Sequence, residues 1–188
     1  MKKFLAILIL IFTFQTPSQA DDIKDFEIEG MSIGDSLLDY LNENAILDKK
    51  PNWFKNNEYS IANDLRLETF QTYLSVQVAY KTKDKKYILE GIEGYKFYKK
   101  MSNCLKELDE VVDEISKIAS GTVRSKKETY KHNDPDSNAT ITSLNFKFDS
   151  GDTISIGCAN YLDKNPPVDL RVIFRTKEYS YFIAHKAY

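Results

Sequence analysis

The apolar positions change period several times along this chain, and each change predicts an element. Phe26 and Ile28 alternate with polar neighbours ahead of Gly30, the pattern of a short edge strand. Leu37, Leu38, Leu41 and Ala45 then share one helical face, which predicts a first helix from about Asp35 to Leu47. Gly34 would be its N-cap, Ile33 and Leu38 a hydrophobic staple, and Asp35 and Asp39 would complement the helix dipole. From Lys49 to Arg66 no period holds. Pro51, Asn52, Asn56, Asn57 and Asn63 mark a loop, yet it carries Trp53, Phe54 and Tyr59.

Beyond the loop the period becomes two. Leu74, Val76, Val78 and Tyr80 alternate, a turn at Lys83, Asp84 and Lys85 follows, and Tyr87 to Ile92 returns, so a hairpin is expected. Tyr95, Phe97 and Tyr98 are expected to continue it as a third strand. Cys104, Leu108, Val111, Ile115 and Ile118 recur at steps of four and three, predicting a second helix from Asn103 to Ala119 with Gly121 at its C-terminal end. After a polar stretch with Pro135, Leu144, Phe146 and Phe148 alternate into a turn at 149–152. Ile154, Ile156 and Cys158 return as a second hairpin. Leu170, Val172 and Phe174 predict a further strand, and Thr176 opens a short C-terminal helix.

Side by side, residues 26–98 and 101–175 read as half-repeats of helix, irregular stretch, strand, turn and returning strand. The expected fold class is therefore α+β: two similar helix-plus-β-hairpin units packed on antiparallel sheet, as one or two closely packed subdomains.

The N-terminus departs from these patterns. Lys2 and Lys3 precede an apolar run from Phe4 to Phe14, then Pro17, Ser18 and Ala20, the layout of a secretory signal peptide cleaved between Ala20 and Asp21. Gln15 and Thr16 end the run well short of the ~20 apolar residues that span a bilayer. Residues 1–20 are thus expected to be removed, leaving 21–188 as one exported domain with no transmembrane segment, periplasmic or secreted. Losing two lysines and no acid takes the formal charge of the 188-residue chain from −2 to −4. A mildly acidic chain is a poor match for a phosphate backbone, so nucleic acid is not an expected partner. With 42% hydrophobic and 13% aromatic residues, a sheet-containing core is expected rather than disorder.

Candidate chemistry is sparse. The two cysteines fall on the buried face of the second helix and on an inward strand register, and in an oxidising compartment Cys104 and Cys158 are expected to form a disulfide. No CxxC spacing supports a redox role. Gly34, Asp35, Ser36 and Leu37 match the nucleophile block of the serine esterases and lipases named for that tetrapeptide, which makes Ser36 an alternative nucleophile. That family's base is a histidine three residues after an aspartate. Here His185 has Phe182 at that spacing and His132 has Thr129, so Asp35 and Ser36 are better explained as residues of a first helical turn. No histidine has a neighbouring ligand at metal-binding spacing, and no metal or cofactor is expected. Trp53, Phe54 and Tyr59 either plug the core or form a binding patch.

The chain resembles a family of small exported proteins of free-living marine bacteria with AT-rich genomes, a family without an assigned activity. The resemblance rests on the segment Ile28 to Leu38 with Tyr40, on Cys104 opening the second helix, on Ser150, Gly151 and Asp152 before Cys158, and on Asp169 to Val172. Family members carry a more acidic stretch where this chain has Asn42, Glu43 and Asn44, and a tryptophan where it has Tyr161. The resemblance implies export and supplies no catalytic residues. The expected function is a non-enzymatic domain that binds a small molecule, an envelope component or a protein. The alternatives are a hydrolase acting through Ser36 and a structural envelope protein.

Overall fold

In the computed structural model, residues 20–51, 53–131, 138–162 and 167–188 are described. The elements run in the order α1 (Glu43–Asp48), β1 (Tyr59–Leu65), β2 (Ser75–Lys81), β3 (Leu89–Tyr98), α2 (Met101–Ile118), β4 (Thr122–Arg124), β5 (Glu128–Lys131), β6 (Ala139–Phe148), β7 (Thr153–Tyr161), β8 (Val168–Arg175) and α3 (Lys177–His185). The strands form one antiparallel sheet in the order β1-β2-β3-β8-β7-β6-β4, with β5 also on β6. The protein is therefore mixed α and β, mostly sheet.

Alternation decides which way each strand faces. Ile154, Ile156, Cys158, Leu170, Val172 and Phe174 point to one side, where α2 lays down Cys104, Leu108, Val112 and Ile115. Cys104 and Cys158 are bonded there, with Cα atoms 6.0 Å apart. Ile23, Phe26, Ile28, Met31, Ile33, Leu37 and Ile46, from the segment before β1, belong to the same apolar cluster. Side chains close most of this face, apart from a hollow of about 660 Å³ beside α2 whose lining includes Phe26, Ile28, Tyr73, Ile115, Val172 and Phe174.

α3 packs on the opposite face, over the β1–β2 corner. Its Tyr179 and Phe182 meet Tyr59, Ile61 and Ala79. Gly91 on β3 permits the approach: a Cβ there would lie 2.5 Å from the Tyr179 ring.

Several expectations need correction. The region 35–47 is not one helix. A 3₁₀ turn at Leu37–Asp39 and the short α1 replace it, because the backbone of 34–37 pairs outward: Gly34 N–H donates to Leu89 O, Leu89 N–H to Asp35 O, and Leu37 N–H to Tyr87 O. Gly34 is the left-handed residue that allows this turn, at φ +96°, rather than an N-cap. Ser36 and Asn42 cap the two pieces instead. Phe26 to Ile28 is no strand; Ile28 and Met31 exchange hydrogen bonds across a tight turn, and the Phe26 ring sits edge-on to Phe148 and Phe174. The stretch 49–66 contains β1, whose alternation is hidden because both of its faces are covered near Tyr59 to Ala62. Tyr95 to Tyr98 is the far end of β3, not a third strand. The second helix, the second hairpin, β8 and the C-terminal helix lie within a few residues of their expected places. Residues 1–19, most of the expected leader, lie outside the described residues.

Candidate ligand-binding site

The sheet face away from α2 is only partly covered. Over β3, β8, β7 and β6 it carries small or polar residues, among them Ser143, Ser155, Gly157 and Ala159, so the floor is hollow. Aromatic and aliphatic side chains wall it in: Tyr179, Ile183 and Tyr188 from the C-terminal segment, Trp53 and Phe54 from the loop before β1, and Tyr130 from β5. The enclosed space is about 430 Å³, within the range of small-molecule pockets.

The register of β8 puts charge on that floor. Leu170, Val172 and Phe174 face α2, so Arg171, Ile173 and Arg175 face the hollow. Glu93 on β3 lies opposite Ile173, between the two arginines. Arg171 Nε and Nη2 donate to the two carboxylate oxygens of Asp169 at 3.0 and 3.1 Å, and Nη1 reaches Glu93 at 3.4 Å. Arg171 Nη2 also donates to the Tyr161 hydroxyl, and its guanidinium lies 5.1 Å from the Tyr95 ring centroid. The bidentate geometry and the ring contact suit a planar guanidinium and would not suit lysine. Burial works against the Arg171 charge, but Glu93 and Asp169 outweigh it and raise its pKa. Burial, with Glu93 beside it, holds the Tyr95 hydroxyl well above the ordinary tyrosine range, so it stays protonated.

Arg175 is differently placed. Its Nη2 is 4.0 Å from Glu93, and its Nε is buried without a hydrogen-bond partner among the described residues. A buried donor left unpaired is costly and rare in folded proteins.

The residues singled out in the sequence are scattered over both faces. Cys104 and Cys158 hold α2 to the closed face. Trp53, at 51% exposure, lines the rim of the hollow; Phe54 is half-buried, its ring 5.1 Å from Phe182 and 5.9 Å from Tyr188. Tyr59 does not belong to an accessible patch. It is 2% exposed because it opens β1 with its ring between Tyr179 and Phe182. The plug and the patch are thus one segment, with Tyr59 in the core and Trp53 at the surface.

Ser36 Oγ donates to Lys86 O at 2.6 Å and accepts from Leu38 N–H at 3.2 Å, the work of a cap tied to the strand beside it. Asp35 accepts from Ser32 N–H and the Tyr40 hydroxyl, so among the described residues neither member of the Asp-Ser pair is directed at an imidazole. Burial and the Asp35 contact push Tyr40 up to about 12. The His185 ring stacks obliquely on Tyr181, and His132 lies outside the described residues. The turn at 149–152 spends Asp152 on the Lys177 N–H at the start of α3 and on the Ser150 hydroxyl. Among the described residues no cluster of His, Cys, Asp or Glu could hold a metal ion.

Sequence reasoning missed Arg171, Arg175, Glu93 and Tyr95. A signal was present: once Leu170, Val172 and Phe174 are assigned inward, two arginines four apart must share the other face. No family model, curated protein or solved structure compared with the chain matches it.

Proposed function

We propose that this protein is an exported, non-enzymatic binding domain whose ligand occupies the hollow on the open sheet face. The single observation that carries this reading is the juxtaposition there of a charged floor, Arg171, Glu93 and Arg175, with an aromatic rim that includes the exposed Trp53. An apolar-walled concavity with a few convergent polar groups is the common form of a small-molecule site. Thermal-shift screening of the mature protein against periplasmic metabolites and envelope lipids tests it. A ligand at about a hundred times its Kd stabilises the fold by about 2.7 kcal/mol. Stabilisation that survives substitution of Arg171, Arg175 and Trp53 would place the ligand elsewhere and contradict the reading.

Export is supported by the leader-like N-terminus and by the disulfide, which persists in oxidising compartments. Among the described residues no helix is long and apolar enough to cross a membrane. Ala20 N–H donates to Ile118 O, and Ala20 O accepts from Ser120 N–H. Cleavage after Ala20 gives up those two bonds and leaves the new α-ammonium of Asp21 beside Asp25, whose Oδ2 is 3.2 Å from Asp21 N. N-terminal sequencing of the exported protein should start at Asp21. A product beginning at Met1 would end the export reading.

A further inference from the structure

We infer that the ligand of the open face is a small organic monoanion, a carboxylate on an aromatic or flat apolar body, bound with its carboxylate on Arg175. The inference rests on the ligand-site reading above and specifies the chemistry that site takes.

Three charged side chains line the hollow, Arg171, Arg175 and Glu93, and Asp169 on Arg171 brings the cluster to formal neutrality, with both carboxylates within 3.4 Å of Arg171 and only the 4.0 Å Glu93 contact on Arg175. Arg171 has little left for a new anion, because Asp169, Glu93 and Tyr161 already take four of its five N–H donors. Arg175 has more to give. Among the described residues its one ion pair is with Glu93 at 4.0 Å, and its buried Nε has no hydrogen-bond partner. A carboxylate in the hollow meets the part-exposed end of that guanidinium in the form arginine binds best, a charge-assisted and often bidentate pair. Glu93 limits the charge of the guest: a second negative charge would meet its carboxylate across the same floor. A cation fares worse, since both Glu93 oxygens already face arginines. The body of the ligand is set by Trp53, Tyr179 and Tyr188, whose rings offer flat apolar surface around a space of about 430 Å³.

Trp53 is the only tryptophan in the chain, so its emission reports the rim directly. The mature, oxidised protein is titrated with phenylpropionate, phenylpropionamide, phenethylamine and inorganic phosphate. The expected result is that phenylpropionate shifts Trp53 emission and binds about tenfold or more tightly than the amide. Arg175→Gln should bring the acid down to the affinity of the amide without changing the amide. If Arg175→Gln does not fold, Arg175→Lys carries the comparison: a loss for the acid alone supports the inference, and an equal loss for both probes overturns it. Equal or tighter binding of the amide, the amine or phosphate overturns the anion class while leaving the pocket in place. Failure of every probe to bind overturns both the inference and the ligand-site reading.

Discussion

The two faces of the sheet are built on opposite plans. The α2 face is largely apolar and cross-linked, and the hollow beside α2 is edged by Lys96, Glu107, Glu110 and Glu114, whereas the α3 face keeps a hollow floored by two arginines and a glutamate. Each strand serves both plans by alternation, so β8 gives Leu170, Val172 and Phe174 to stability and Arg171 and Arg175 to the open side. That separation frees the open face to hold an under-paired guanidinium, a feature costly in a core yet useful in a site.

Substitutions can break or sharpen this contrast. The largest expected loss is on the closed face: replacing Cys104 and Cys158 together by Ala releases a loop of sequence separation 54 and should cost about 4 kcal/mol, measured by urea unfolding. Gly91→Val should cost about 3 kcal/mol, because its side chain would collide with the Tyr179 ring and displace α3 from the open side. A cost near zero would mean that α3 is not held by that contact.

Glu29 ties the loop before β2 to the closed face. Its carboxylate accepts the backbone N–H groups of Gln71, Thr72 and Tyr73 at 2.6 to 2.8 Å. Burial pushes its pKa up, but the three donors together hold it below the ordinary 4.5. Because the folded value is the lower one, its contribution is complete above pH 4.5 and disappears as pH falls through the folded pKa. Glu29→Ala should cost about 2 kcal/mol at neutral pH. Glu29→Gln should flatten the acid limb of the stability curve, leaving the part due to Glu107, which Lys96 and Tyr98 also pull down against its burial.

Smaller effects separate the alternatives. Ser36→Ala should cost about 1 kcal/mol, the value of a cap, and leave any background rate on p-nitrophenyl acetate unchanged. Loss of an esterase rate in that variant would instead make Ser36 a nucleophile. Arg175→Gln should change stability least, by under about 0.5 kcal/mol, since its contact with Glu93 is long and its Nε unpaired. A large loss there would make Arg175 a structural residue and erase the contrast between the faces.

Strong periodicity made much of this fold legible. α2, with its apolar stripe, and the β6–β7 hairpin, with strict alternation, could be read directly, and together they placed Cys104 against Cys158. Regions held by long-range pairing could not. Gly34 to Leu37 read as a helix start because their partners at Tyr87 to Leu89 are some fifty residues away, as the Ser36 to Lys86 bond shows. Tyr59 to Leu65 read as loop because a strand covered on both faces loses its alternation. The site was half legible. Trp53 and Phe54 drew notice by residue type, but Glu93 and Arg175 are ordinary surface residues until the sheet register brings β3 against β8.

The most direct test of the open face as a binding site is a chemical-shift map of the ¹⁵N-labelled mature protein titrated with phenylpropionate. The expected perturbations cluster on Trp53, Arg171, Ile173, Arg175 and Tyr188 and spare α2. Perturbations centred on α2, or none at saturating probe, would contradict it.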